Sequence, residues 1–266
     1  MYRQRFGLTA LPFEPPASSD DLFVSVAARE TETRLKHLLE LRGIGLLTGE
    51  AGCGKTSACR RVLDSLHPGR YRVAYLALTA GSVLDTCQAI AWSLGLDPPR
   101  YRAQICRAIR TEVVRLSREA GQLPLLVIDE AQYLRDDVLR ELRLLTNYGH
   151  DSERRLCLLL VGLSPLRRRL ALRVHESLAQ RIVMRYRLPG LGRDEIGPYL
   201  THCLRRAGCE LPLFGPDSRE ALFEASRGRP RLVSRLAHYA LAAAALEKAG
   251  SVSAEHVRHA CAEVGP

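Results

Sequence analysis

The chain has 266 residues, enough for one large domain or two small ones at roughly 100–200 residues per domain. Hydrophobic residues make up 46% and charged residues 26%, the balance of a globular chain and not of a disordered or fibrous one. The longest apolar run, Leu156–Leu163, is strand-sized, far short of the roughly 18 residues a membrane span needs. Met1–Phe6 has no apolar signal core, so a cytoplasmic protein is expected.

The eight cysteines form no Cys-x-x-Cys pair and fall mostly in apolar periodic segments, so they read as small buried hydrophobes in a reducing compartment. His256, His259 and Cys261 lie close together without a fourth ligand, which makes a weak case for a metal. Charge is more informative. The net charge is +10, with only three lysines, Lys36, Lys55 and Lys248. Residues 154–193 carry ten arginines against one acid, Glu176, whereas residues 194–266 balance nine basic against nine acidic residues. A compositional preference for arginine over lysine explains the shortage of lysine but not this clustering. A concentrated arginine block suits a phosphate-rich partner, because guanidinium grips phosphate bidentately.

In chain order, residues 1–23 mix aromatics with prolines and predict an extended arm. Ala27–Arg42 has helical apolar spacing. Gly43–Thr48 is a short buried strand running into a glycine-rich turn, and Thr56–Leu66 a helix. A strand over Arg72–Leu78, a helix over Val83–Leu94 and a long arginine-rich helix over Ala103–Ala120 follow. Leu125–Ile128 is apolar on both faces, as a fully buried parallel strand is. Asp136–Tyr148 reads as a helix, Arg155–Val161 as a buried strand and Ile182–Leu188 as a shorter one. Strands alternating with helices predict an α/β fold, a parallel sheet covered on both faces. Beyond Pro189-Gly190-Leu191-Gly192 the pattern is helical: Asp194–Ala207, Pro216–Ser226 with Asp217 and Glu220 as a capping box, Pro230–Ala249 and Ala254–Glu263. The expected organisation is therefore an arm over 1–23, a P-loop core over 24–190 and an all-helical domain over 191–266.

Gly49-Glu50-Ala51-Gly52-Cys53-Gly54-Lys55-Thr56 is a complete G-x-x-x-x-G-K-T, flanked by a buried strand and a helix as the motif requires, with Ser57 next. Its glycines let the loop curl until backbone N–H groups and the helix N-terminus point at phosphate oxygens. Lys55 is placed for the β- and γ-phosphates, and the Thr56 hydroxyl for Mg²⁺. Leu125–Glu130 supplies the second half: an apolar strand ending in two acids, Asp129 beside the metal and Glu130 beyond it, able to orient and deprotonate an attacking water. Gln132 follows, either relaying the state of the nucleotide or lying as a solvated surface amide.

On these residues the chain resembles the AAA+ ATPases, and more narrowly the ExeA-like branch with transposition relatives of the TnsC, TniB and MuB kind. The resemblance rests on Tyr2 through Phe6-Gly7-Leu8 to Pro12-Phe13, Leu47-Thr48-Gly49-Glu50, Ile128-Asp129-Glu130-Ala131-Gln132, Val161-Gly162, Gln180-Arg181-Ile182 and Gly228-Arg229-Pro230-Arg231-Leu232. It implies an ATP- and Mg²⁺-dependent ATPase with a C-terminal lid. It also implies that Arg181 is a finger reaching a neighbouring subunit's nucleotide, with Arg173 and Arg185 as rivals, and that Arg231 is a sensor of the γ-phosphate. Many relatives carry a polar sensor directly after Val-Gly; here Leu163 stands there, which leaves Ser164 as the candidate.

Three functions fit that resemblance. One is a transposition regulator that forms a ring or filament on duplex DNA and recruits a transposase. The second is a secretion-associated ATPase, a type that continues into a membrane span which this chain, ending at Pro266, lacks. The third is a switch with protein partners only, which the arginine excess argues against. DNA contact would be made to phosphates, independent of sequence, from Arg100, Arg102, Arg107 and Arg110 or from the rival patch Arg167-Arg168-Arg169.

Overall fold

The computed structural model describes residues 2–77, 81–149 and 152–265. Contacts divide the chain into two compact units, one of Glu30–Gly49 and Ala58–Arg187, the other of Met1–Arg29, Glu50–Ser57 and Leu188–Pro266.

The first unit is built on a parallel sheet of five strands: β1 (Ile44–Thr48), β2 (Tyr71–Ala77), β3 (Leu123–Asp129), β4 (Cys157–Gly162) and β5 (Ile182–Arg187). They lie in the order β2-β3-β4-β1-β5. Every residue of β1, β3 and β4 is buried, which requires cover on both faces and explains their uninterrupted apolar runs. The edge strands β2 and β5 are only partly buried, and Arg72, Arg185 and Arg187 are among their exposed residues. The surrounding helices are α3 (Lys55–Asp64), α4 (Val83–Ser93), α5 (Arg102–Arg118), α6 (Asp136–Leu145), α7 (Ser164–Leu170) and the single turn α8 (Glu176–Ala179), with α2 (Val26–Leu41) ahead of β1. α5 shows why the period is helical: Ile105, Ile109, Val113 and Leu116 form one buried stripe in the same cluster as Leu126, Ile128, Leu158 and Leu160 of the sheet. Ser82 opens α4 with a reciprocal capping box to Asp85.

Most expected elements are present, with ends moved by one to three residues. The strand expected over Arg72–Leu78 is β2, and Leu78 lies outside the described residues. The chain between β4 and β5, which carries no strong period, forms α7, a 3₁₀ turn over Arg173–His175 and α8.

In the second unit α9 (Arg193–Arg206), α10 (Pro216–Ser226), α11 (Pro230–Leu246) and α12 (Ala254–Val264) share one apolar cluster, centred on Leu200, Phe214, Leu222, Leu236 and Leu241. Two expectations are corrected here. The arm is not extended throughout: before its first proline it makes one helical turn, α1 (Tyr2–Arg5), which places Tyr2 and Phe6 in that cluster. The Tyr2 hydroxyl meets His238 Nδ1 at 2.9 Å, and the Thr9 N–H donates to the Ala207 carbonyl at 2.8 Å. Burial pushes the Tyr2 phenol up to about 12. The capping box of Asp217 and Glu220 does not form. With Pro216 as the first helical residue, the cap is Gly215, which has no side chain to accept a bond, and Glu220 pairs with Arg193 at 3.0 Å instead.

Because Phe6 is only 5% exposed, Phe6→Ala should cost about 3–5 kcal/mol of stability in denaturant unfolding. An arm lying loose in solvent would keep the change within about 0.5 kcal/mol.

Candidate functional site

β1 and β4 are neighbours in the sheet, yet the chain leaves them in opposite directions, β1 toward the β2 edge and β4 toward β5. In a parallel sheet such a switch point opens a crevice at the carboxyl ends of the strands. Gly49, Asp129 and Gly162 sit at those ends.

Gly49 follows β1, and its N–H donates to the Gly162 carbonyl at the end of β4, 3.2 Å away. In the loop beyond it, Gly52 and Gly54 hold φ of +75° and +97°, left-handed values that a side chain would strain. Lys55 opens α3, is buried, and donates from Nζ to the Glu50 carbonyl at 3.1 Å. The loop therefore presents a helix N-terminus and a lysine together, the arrangement that attracts phosphate. Thr56 and Ser57 are exposed. Cys53 is buried, and desolvation pushes its thiol above the ordinary range, so it is a packing residue of the loop and not a nucleophile. Arg231, in the first turn of α11, donates its backbone N–H to the Gly52 carbonyl at 3.2 Å and keeps an exposed side chain.

At the end of β3 Asp129 is buried and both its carboxylate oxygens are engaged. Oδ2 accepts from the Tyr75 hydroxyl at 2.6 Å and Oδ1 from the Glu130 N–H at 2.8 Å. The Tyr75 phenol is held well above its usual value, first by desolvation and then by this bond to Asp129. Glu130, half-buried, adopts the left-handed region with φ 54° and ψ 33°. Its Oε2 accepts from Gln132 Nε2 at 2.6 Å, and Gln132 Oε1 accepts from the Leu163 N–H at 2.9 Å. Ser164 is half-buried as the first residue of α7. At the non-polar position after Gly162, the backbone N–H of Leu163 makes the polar contact that its side chain cannot.

Tyr75 was missed by sequence reasoning. It sits in an alternating edge strand as an ordinary β residue, and only the parallel pairing of β2 with β3 brings it to Asp129. For Gln132 the sequence leaves two readings open, a relay of the nucleotide state and a solvated surface amide.

The arginines are sorted by their partners. Arg181 is half-buried immediately before β5. Its rival Arg185 is folded back onto its own chain, donating to the Ile182 carbonyl at 3.1 Å and to the Ala179 carbonyl, whereas Arg173 is exposed. Of the four arginines around the start of α5, Arg102 pairs with Glu141. Arg110 donates to the Asn147 carbonyl and lies 5.3 Å over the Tyr148 ring. Arg100 and Arg107 are exposed. In α7, Arg167 and Arg168 are exposed, while Arg169 pairs with Asp136 at 2.5 Å, holding that carboxyl below its usual range.

Metal-ligand types gather at Cys87, Cys106 and Glu141, where α4, α5 and α6 meet. The two sulfurs are 3.7 Å apart, and Cys106 Sγ lies 3.4 Å from Glu141 Oε1. Burial pushes the Cys87 thiol up to about 12 and raises that of Cys106, and Arg102 neutralises Glu141, so the cluster is a satisfied polar contact in the core. His256 is likewise structural, meeting Glu247 at 3.0 Å and taking part in the Ser253 cap of α12.

A family model described as an AAA domain matches residues 37–170. The chain belongs to the AAA domain family. As an AAA ATPase it binds nucleotide, and its relatives agree with the narrower branch. It is 34% identical over 247 residues to general secretion pathway protein A of Aeromonas hydrophila, covering 92% of this chain and 45% of that protein. It is 35% identical over 118 residues to the ATP-dependent target DNA activator B of Escherichia phage Mu, covering 43% of this chain and 34% of that protein. The chain thus spans less than half the length of the curated relatives it matches. Among solved structures, Cdc6p of Pyrobaculum aerophilum superposes with a TM-score of 0.70 at 20% identity, covering 95% of this chain and 70% of that one, a likeness of fold. Among the described residues no helix is long and apolar enough to cross a membrane.

Gly52→Ala tests the loop. A Cβ there would meet Arg231 Cβ at 2.8 Å on a backbone with φ of +75°, so strain of about 1–3 kcal/mol should appear as lost stability. Titration with a fluorescent ATP analogue should show weakened binding. Wild-type affinity would mean that the loop curvature is not what presents the amides.

Proposed function

We propose that this AAA ATPase is an ATP-dependent, DNA-binding regulator of DNA transposition that assembles on duplex DNA and recruits or activates a transposase. Two observations support the reading: the likeness to the target DNA activator of phage Mu, and the arginines of the two candidate patches that remain exposed after the ion-paired ones are set aside, Arg100, Arg107, Arg167 and Arg168.

In the cycle we propose, the amides of Gly49 to Ser57 and the Lys55 ammonium hold the triphosphate, and Arg231 reports on its γ end from the lid. The donors suit Mg²⁺, both being oxygen: the Thr56 hydroxyl and the Asp129 carboxylate. Thr56 and Asp129 would hold that ion, which neutralises charge on the phosphates when bound. Glu130 orients the water and takes its proton. Arg181 from a neighbouring subunit stabilises the transferring phosphoryl, so a lone subunit has an incomplete site. Ring or filament assembly follows from that division.

Lys55→Ala should abolish ATP binding, whereas Glu130→Gln should bind and not hydrolyse. Activity per subunit should rise with protein concentration, and mixing Arg181→Ala with Lys55→Ala subunits should recover part of it. A flat concentration profile would sink the shared site.

Because 92% of the chain aligns with a secretion pathway protein, a secretion-associated ATPase is the second reading, and DNA binding separates the two. With ATP, affinity for unrelated duplexes should be similar and fall linearly with salt on a log–log plot, by roughly 0.9 per neutralised phosphate. Replacing Arg100 and Arg107 by Ala should lower that slope by about 2. Arg102→Ala is a poor probe, since it strands the buried Glu141. Binding that is equal with ATP, ADP and no nucleotide would exclude the regulator.

A further inference from the structure

We infer that Gln132 is the positioning residue for Glu130, and that it ties the water-activating carboxylate to the end of β4 and so to the first residue of the phosphate loop. The inference rests on the proposed role of Glu130 as the base.

Glu130 stands in a left-handed backbone conformation that a non-glycine residue keeps only when its surroundings hold it. β3 ends at Asp129, so the strand does not aim the Glu130 side chain. Gln132 does, through Nε2 on Glu130 Oε2 at 2.6 Å. The orientation of the amide is unambiguous, because its other end accepts from the Leu163 N–H at 2.9 Å and only the oxygen can do so. The backbone of Gln132 is held as well, its carbonyl accepting from Arg169 Nη1 at 3.2 Å while Arg169 is pinned by Asp136. A glutamine fastened at three points is no solvated surface amide.

Gly162 makes the arrangement possible. A Cβ there would lie 2.7 Å from Gln132 Oε1 and 3.3 Å from the Gln132 backbone nitrogen. The carbonyl of the same residue accepts from the Gly49 N–H at 3.2 Å. Gly49, Gly162, Leu163, Gln132 and Glu130 are thus joined in sequence within one unit, and movement of the loop on phosphate binding has a short route to the carboxylate. Position is what a water-activating base needs most, since a displacement of about 1 Å can cost around a hundredfold in rate.

The test is kinetic. Gln132→Glu keeps the shape of the side chain and replaces the donor with an acceptor, so it should lower kcat about 10- to 100-fold with ATP affinity within twofold of wild type, as should Gln132→Ala. Gly162→Ala should give the same split by displacing the amide, without touching either partner. On the slow residual hydrolysis left in a Glu130→Gln background, followed over a long time course with enzyme in excess, Gln132→Ala should cost less than about twofold more, because a residue that acts through Glu130 has nothing left to act on. An equal loss in both backgrounds would make Gln132 a structural residue and overturn the inference. Wild-type kcat in Gln132→Glu, with Glu130→Gln inactive, would overturn it while leaving the base assignment intact. An active Glu130→Gln would overturn the base assignment first, and this inference with it.

Discussion

The close approach at the end of β4 is the constraint on which the candidate site depends. Three strand ends are drawn together there: β1 through the Gly49 N–H, β4 through Gly162, and β3 through the amide of Gln132. Only a residue without a side chain leaves room for this, and the hydrogen bonds formed satisfy backbone groups that the ending strands would otherwise strand. Glu130, the proposed base, is held by the same contacts that finish the sheet. Fold and chemistry share one set of bonds.

The rest of the sheet explains why the chemistry gathers there. β1, β3 and β4 are buried on both faces, so their side chains serve packing and carry no polar group before the last residue or two. Charge has to enter at the carboxyl ends, where Asp129 is the first acid that β3 reaches. Its partner Tyr75 comes from the half-exposed edge strand β2, which pairs with β3. The second unit solves a different problem. Its helices alone leave part of their apolar cluster to be closed, and Tyr2, Phe6 and Leu8 close it, so the amino-terminal residues belong to the core of that unit.

The arginine excess divides along similar lines. Arg102, Arg110 and Arg169 neutralise carboxylates or cap carbonyls, and Arg185 satisfies the turn before β5. Such pairs position elements more than they stabilise them, since exposed ion pairs contribute little. Arg100, Arg107, Arg167 and Arg168 of the two candidate patches remain exposed.

The sequence by itself determined the class of the fold, the succession of its elements and the phosphate loop with its paired acids. Apolar runs of strand length mark buried parallel strands, and glycine, lysine and threonine at fixed spacing leave few other uses. The helices of the second unit were legible from their period of 3.6. What only the tertiary structure decided is which polar groups meet. The bond between Tyr75 and Asp129 spans 54 positions and that between Gln132 and Leu163 spans 31, and neither separation leaves a local pattern. The helical turn at Tyr2–Arg5 escaped a proline-rich reading for the same reason: its stabilisation comes from the apolar cluster of the second unit, which it enters. Nor could ten clustered arginines be sorted by composition, because a guanidinium facing a carboxylate and one facing water are the same residue in the sequence. They become different only when the sheet order sets their neighbours.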